Sequence, residues 1–137
     1  MLDRGYGSLD EAFDRFLKKN RPAYVPKFKI SALEAIALVH HAGGLASMAH
    51  PGLNRSDEVI PALAASGLDG LECFHSKHTA AMTEYYLDIA ARHHLLVTGG
   101  SDYHGTLKPD VRLGTGSGGN LHVPPEVVDA LKAAAGA

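Results

Sequence analysis

The 137 residues include no tryptophan and a single cysteine, Cys73. One thiol excludes an intrachain disulfide framework and fits a reducing compartment, so the expected location is the cytoplasm. No apolar run approaches the ~18 residues that a membrane helix needs. The opening Met1-Leu2-Asp3-Arg4 lacks the charged-then-apolar layout of a signal peptide, so no membrane partner is expected. An excess of one charge is also missing. Thirteen basic against fifteen acidic residues leave a net −2, which gives no field for duplex nucleic acid. A short single-stranded nucleic acid held at a metal site is compatible with that charge. Histidine is absent before His40, yet the chain holds nine.

Those histidines sit at particular places. Three apolar runs, Leu45–Ala49, Leu71–Phe74 and Leu95–Thr98, read as buried strands. His50 closes the first, His75 the second, and Gly99-Gly100-Ser101-Asp102-Tyr103-His104-Gly105 the third. Between them lie helices: one capped by Ser56 and closed by Gly67, and one from Thr79 to His93 with Met82, Tyr86 and Ile89 inward. Such a succession of three β-α units implies a parallel sheet with crossover helices. Upstream, a Ser8–Glu11 capping box predicts a helix through Lys19 with the stripe Leu9, Ala12, Phe13, Phe16 and Leu17. Arg21 to Pro26 reads as an extended connector, and a Ser31–Glu34 box opens a helix that stops at Gly43-Gly44. Downstream, Gly114–Gly119 reads as a mobile loop and Pro124-Pro125 opens a last helix through Leu131. Three strands are too few for a closed barrel of about eight, so the fold class is α/β, part of a (β/α) barrel.

In parallel α/β folds, function gathers at the carboxyl ends of the strands. All three polar clusters fall there. Side chains alternate along an extended backbone, so Asp102 and His104 are expected on the same side. A carboxylate with imidazoles suits Mn²⁺, Fe²⁺ or Zn²⁺; the alternative is a strand-ending turn, where Ser, Asp and Gly are common. His50, Asp102 and His104 would bind one metal or share two or three sites, lowering the pKa of a bound water toward ~7. His75 or His78 suits a general acid for a leaving oxygen, or a contact to phosphate. His40-His41 and His93-His94 fall at helix C-termini, where the helix dipole favours a cation. His122 reads as solvated and Cys73 as a small buried hydrophobe. Gly114–Gly119 lacks the Gly-Lys-Ser/Thr of a P-loop.

Met48-Ala49-His50-Pro51-Gly52, Gly70 to His78 and Thr98 to Gly105 together resemble the later motifs of the PHP (polymerase and histidinol phosphatase) domain. Within it, the chain is similar to the stand-alone metal-dependent phosphoesterases of nucleotides and short RNA. Ala23–Pro26 and Arg112–Gly116 add to a resemblance that covers roughly residues 8 to 131. It implies a seven-stranded (β/α) barrel with up to three divalent metals, commonly Mn, Fe or Zn. His50, Asp102 and His104 would be metal ligands, and His78 and His75 would meet the substrate phosphate or the metal shell. The family opens with a His-x-His strand that has no counterpart here. The chain therefore resembles the C-terminal half: residues 1–26 as the end of a small helical insertion, residues 27–137 as the half-barrel.

The reading is a phosphoesterase acting on a phosphorylated small molecule, nucleotide or short single-stranded RNA, incomplete as this chain alone. Two rivals stand beside it. One is a non-catalytic α/β fragment that binds metal weakly and oligomerises; the other is an amide-cleaving metallohydrolase. A homo-oligomer, or a missing N-terminal half, is the expected partner.

Overall fold

A computed structural model of the chain describes residues 8–26, 28–54 and 56–136. The reading of Met1–Arg4 and the Leu9 side chain lie outside the described residues. The chain divides into two compact units, residues 1–30 and residues 31–137.

In the first unit, α1 (Leu9–Ala12) starts on the predicted capping box. Ser8 N–H donates to Glu11 Oε2 at 2.9 Å and Glu11 N–H to Ser8 Oγ at 3.2 Å. The helix does not run to Lys19. From Phe13 to Leu17 it widens into a π-turn, closed by Lys18 N–H donating to Phe13 O at 2.9 Å. The predicted stripe is left half-exposed at Phe13 and Leu17.

The second unit holds the sheet. Its strands β1 (Ser47–Met48), β2 (Gly70–His75) and β3 (Leu96–Gly100) are all parallel, in the order β1-β2-β3. This matches the predicted succession of strand and crossover, with β1 shorter than its apolar run. Seven strands are not seen; among the described residues the parallel sheet has three. Around it lie α2 (Ala32–His41), α3 (Pro51–Asn54), α4 (Ile60–Ala65), α5 (Ala80–Arg92) and α6 (Glu126–Ala135). Helix α2 forms on a complete Ser31–Glu34 capping box, and α5 on the Thr79 hydroxyl, which accepts from Met82 N–H at 3.2 Å. Ser56 does not cap its helix; its hydroxyl donates to Asn54 O, and a 3₁₀ turn over Asp57–Val59 precedes α4.

Alternation along β2 divides the sheet into two faces. Leu71 and Cys73 are fully buried in one core with Ile36, Ile60, Tyr86, Ile89 and Ala90. Burial pushes the Cys73 thiol up to about 12, so it stays protonated and inert, as a buried hydrophobe does. The opposite face is polar. There Ser47 Oγ and Thr98 Oγ1 meet at 2.9 Å across β2. Gly70 permits this, since a Cβ on it would stand 3.0 Å from Ser47 Oγ.

Asp69, just before β2, ties the helix layer to the sheet. Its Oδ2 accepts from His40 Nε2 at 2.7 Å and from Ala46 N–H at 2.6 Å. His40 thus does more than follow the helix dipole. Burial raises the Asp69 carboxyl, but these donors outweigh it and hold it below 3.8. Its contribution is therefore present above the ordinary carboxylate range and lost as pH falls through the lower folded-state value. Asp69→Ala should cost about 1–3 kcal/mol in urea denaturation at pH 7. The gap between variant and parent should narrow as pH drops below about 4; a gap independent of pH would refute the assignment.

The Gly-rich segment is not a mobile loop. It is an antiparallel hairpin of β4 (Val111–Arg112) and β5 (Gly116–Ser117). Gly116 adopts φ +73°, and a Cβ there would lie 2.5 Å from Asn120 Oδ1. The hairpin is fastened to the strand ends through the buried residues Ser76 and Ser101. Ser76 Oγ donates to Ser101 O at 3.0 Å, Asn120 Nδ2 donates to Ser76 O at 2.7 Å, and Gly114 N–H donates to Ser101 Oγ at 3.2 Å.

Candidate active site

Parallel strands bring their carboxyl ends to one edge, and His50, His75 and Asp102 follow or end β1, β2 and β3. The rings of His50 and His75 stand 5.8 Å apart, those of His75 and His78 5.2 Å, and Asp102 Oδ2 lies 3.9 Å from His75 Nε2. His104 Nδ1 is 3.5 Å from Asp102 Oδ1. All five residues singled out in the sequence are thus within one cluster. The ring succession continues through His78 to Tyr86, at 5.2 Å, and on to Tyr85, at 5.1 Å. Tyr86 anchors it from behind, donating its hydroxyl to both Asp57 oxygens at 3.0 and 3.2 Å.

The backbone differs from an extended strand end. His50 has φ +34° and Asp102 φ +55°, both in the left-handed region. Asp102 and His104 therefore do not meet by simple alternation. They meet because the chain turns at Asp102, and His104 Nδ1–H donates to the Asp102 carbonyl at 2.7 Å. At His50 the turn leads directly into α3, whose Asn54 accepts from His50 Nδ1 at 3.2 Å while donating to Ala49 O at 3.0 Å.

Hydrogen bonds assign each imidazole a tautomer, and the assignments divide the histidines. His50 and His104 use Nδ1–H on local acceptors, so Nε2 of each carries a lone pair. His78 donates Nδ1–H to Cys73 O at 2.9 Å and likewise keeps a lone pair on Nε2. His75 is the reverse. Lys77 N–H donates to its Nδ1 at 3.1 Å, so the neutral ring carries its proton on Nε2. Burial, and then the neighbouring His78, hold His75 below the usual imidazole range, so it is neutral at pH 7. Nε2 of His75 and of His78 are buried with no hydrogen-bond partner among the described residues.

Two acidic side chains frame this cluster. Lys108 donates to Asp102 Oδ2, and that hydrogen bond holds the Asp102 carboxyl below its usual value. Glu72, on the polar face of β2, accepts from His50 N–H at 2.6 Å; burial raises it, against the pull of His50 and His78. The sequence reading did not single out Glu72, Asn54 or Lys108. Glu72 carries a signal in hindsight, as a lone charge within a strand that is otherwise apolar up to His75.

No protein-family model matches the chain. It is 45% identical over 76 residues to the phosphoribosyl 1,2-cyclic phosphate 1,2-diphosphodiesterase of Eggerthella lenta, spanning 56% of this chain and 29% of that protein. It is 30% identical over 102 residues to the 5'-3' exoribonuclease Rnm of Escherichia coli, spanning 71% of this chain and 35% of that one. The curated relatives are phosphoesterases. Among solved structures, a protein of Bifidobacterium adolescentis assigned as a metal-dependent phosphoesterase shares 39% identity with a TM-score of 0.65, over 90% of this chain and 43% of its own. An amidohydrolase of Chromobacterium violaceum, holding sulfate and no metal, shares 26% identity with a TM-score of 0.63, over 96% and 47%. The chain therefore spans about a third of the curated relatives it matches and under half of the solved chains.

A metal-dependent relative raises the question of whether these residues suit a metal. In kind they do: two imidazole lone pairs, on His50 and His104, and the Asp102 carboxylate match the N/O donors of Mn²⁺, Fe²⁺ or Zn²⁺. In number they fall short, because among the described residues no three His, Cys, Asp or Glu side chains converge on one point. His75 does not belong in that set, since its Nε2, the nitrogen nearer Asp102, carries a proton.

The bare backbone of Gly52 leaves room for Met82 and His78. A Cβ at Gly52 would stand 2.2 Å from Met82 Cε and 2.9 Å from His78 Nε2. Gly52→Ala should therefore cost about 1–3 kcal/mol, as overpacking does, and displace the ring. Thermal denaturation together with the imidazole C–H shifts of His78 and His75 in NMR would check it; unchanged shifts would mean that Met82 alone yields.

Proposed function

We propose that the chain is the C-terminal half of a PHP-type metal-dependent phosphoesterase. The reaction would be hydrolysis of a phosphomonoester or terminal phosphodiester of a nucleotide, a small phosphorylated molecule or short single-stranded RNA. One observation carries the reading: the unpartnered His75 Nε2 stands 3.9 Å from the Asp102 carboxylate, with the His50 ring 5.8 Å from that of His75, at the shared strand edge. In this reading His50, Asp102 and His104 would be this chain's share of a divalent-metal site that further donors complete, and the metal when bound would supply Lewis acidity.

The remaining chemistry belongs to the chain. A neutral His75 with its proton on Nε2 is a hydrogen-bond donor to a phosphoryl oxygen rather than a proton source. Giving that proton away would leave an imidazolate, and protonating Nδ1 would break the bond from Lys77 N–H. Lys108 balances Asp102 and brings a second cation to the edge. His78 positions His75 through ring contact and through its bond to the β2 backbone. For association, we propose that the free edge of β1 pairs with further chain, as unpaired strands do. Light scattering that finds a stable monomer at high micromolar concentration would reject a homo-oligomer.

The test is hydrolysis by the purified chain of a nucleoside monophosphate, a bis-aryl phosphate and an aryl amide, each with and without added Mn²⁺. Slow phosphoester cleavage that requires the metal and is lost in Asp102→Ala is the expected result. Metal-independent turnover, or amide cleavage above phosphoester cleavage, would overturn it.

A further inference from the structure

Glu72 enters none of the chemistry described above, yet its carboxylate reaches towards both neighbouring strands. Its Oε2 accepts from His50 N–H at 2.6 Å, just past the end of β1. Its Oε1 lies over β3, 3.1 Å from where a Cβ on Gly100 would stand. The same face carries a similar tie one step earlier, between Ser47 Oγ and Thr98 Oγ1 over Gly70. Backbone pairing is thin at the level of Glu72. β1 pairs with β2 only at Ser47–Gly70 and Met48–Leu71, so His50 lies two residues beyond the last pair. On the other side the β2–β3 register shifts between Glu72 and Phe74, an irregularity of the kind that re-aims side chains beside active sites.

We infer that Glu72 is a positioning residue for the site: its carboxylate holds the turn at His50, and with it the His50 lone pair, in step with Asp102 and His104. The inference rests on the phosphoesterase reading and adds to it a residue that acts through His50 rather than on metal or substrate. His50 has φ +34°, a conformation that a non-glycine residue keeps only where its surroundings hold it. Bonds to a charged acceptor are the stronger kind, and this one grips the N–H of the strained residue itself. Asn54 does a separate task. It accepts from His50 Nδ1 and so decides which ring nitrogen keeps the lone pair, whereas Glu72 decides where the ring stands. Gly100 belongs to the same device, because its missing side chain gives the carboxylate its room. With Oε2 engaged by the His50 N–H, Glu72 serves the edge as a brace between the strand ends that carry His50 and Asp102.

The test is titration of the whole chain with Mn²⁺, read as paramagnetic broadening of the His50 and His104 imidazole C–H signals in NMR, which needs no turnover. The informative quantity is the ratio of His50 to His104 broadening. A general loss of stability or of metal affinity moves both signals together and leaves that ratio alone. Glu72→Ala should lower it by about tenfold or more. Glu72→Gln, whose amide oxygen still accepts from His50 N–H, should restore it to within about threefold of the parent chain. Gly100→Ala leaves Glu72 in place but crowds its Oε1, and should lower the ratio in the same direction; this variant decides the matter if Glu72→Ala does not fold. An unchanged ratio in Glu72→Ala, or in Gly100→Ala where the former is unfolded, would overturn the inference. So would Glu72→Gln behaving like Glu72→Ala, since Glu72 would then act by its charge as a ligand. Either result leaves the phosphoesterase reading intact. The expected ratios in a chain that cleaves aryl amide and no phosphoester would keep the positioning role and count against that reading. Absence of broadening at both histidines in the parent chain would overturn both.

Discussion

Mn²⁺-dependent hydrolysis of a short single-stranded RNA by this chain alone should run at least about 100-fold below that of the E. coli exoribonuclease Rnm assayed beside it. The reason lies in the donor count. Two imidazole lone pairs and one carboxylate lie near the strand edge, and no three ligating side chains among the described residues close on one point. Removing even an outer partner of a bound metal typically costs 10–100-fold in affinity or activity, and an incomplete inner set costs more. Calorimetric titration with Mn²⁺ should accordingly show weak binding that Asp102→Ala removes. Turnover equal to that of the longer enzyme would show that these residues suffice and that the donor count misleads.

The largest effect on stability should come from Leu71→Ala. Leu71 is fully buried in β2, the central strand of the sheet, pairs in register with Met48 and Val97, and joins the cluster around Ile60 and Tyr86. Truncating such a side chain removes its transfer free energy and leaves a cavity, together about 2–5 kcal/mol. A domain of ordinary stability has about 5–15 kcal/mol in all, so the variant should populate unfolded chain at modest urea concentrations. Denaturation followed by tyrosine fluorescence and by circular dichroism would measure it. A loss under about 1 kcal/mol would mean that the α4 and α5 layer collapses onto the sheet and fills the space. Glu72 and His75 follow Leu71 in the same strand, so the site should loosen with it.

The parts of this molecule that were legible in the sequence are those set by local rules. Capping boxes at Ser8–Glu11 and Ser31–Glu34 and the Thr79 cap name their helix starts, because side-chain spacing alone decides them. Apolar runs at near-equal intervals pointed to a parallel sheet, and the placement of His50, His75 and Asp102 at strand ends followed from it. What was hidden depends on contacts between distant residues or on backbone angles. Glu72 reads as a solvated strand position until His50 N–H is brought to it by β1–β2 pairing. Lys108 reaches Asp102 only because a 3₁₀ turn over Gly105–Leu107 folds the chain back. The hairpin at Gly116 looks like a flexible glycine tract because the groups that fasten it, the Ser101 hydroxyl and the Ser76 carbonyl, lie upstream. The tautomer of His75 is likewise unreadable from spacing, since it turns on one backbone N–H.

The left-handed backbone at His50 and Asp102 has a bearing on how such a chain withstands mutational drift. Each position holds a side chain that disfavours its own φ, at a cost of order 1 kcal/mol, where glycine would sit without strain. A glycine at either place would relieve that strain, but at Asp102 it would forfeit the bond from Lys108 and at His50 the bond to Asn54, so what each side chain holds in place sets a price on its replacement.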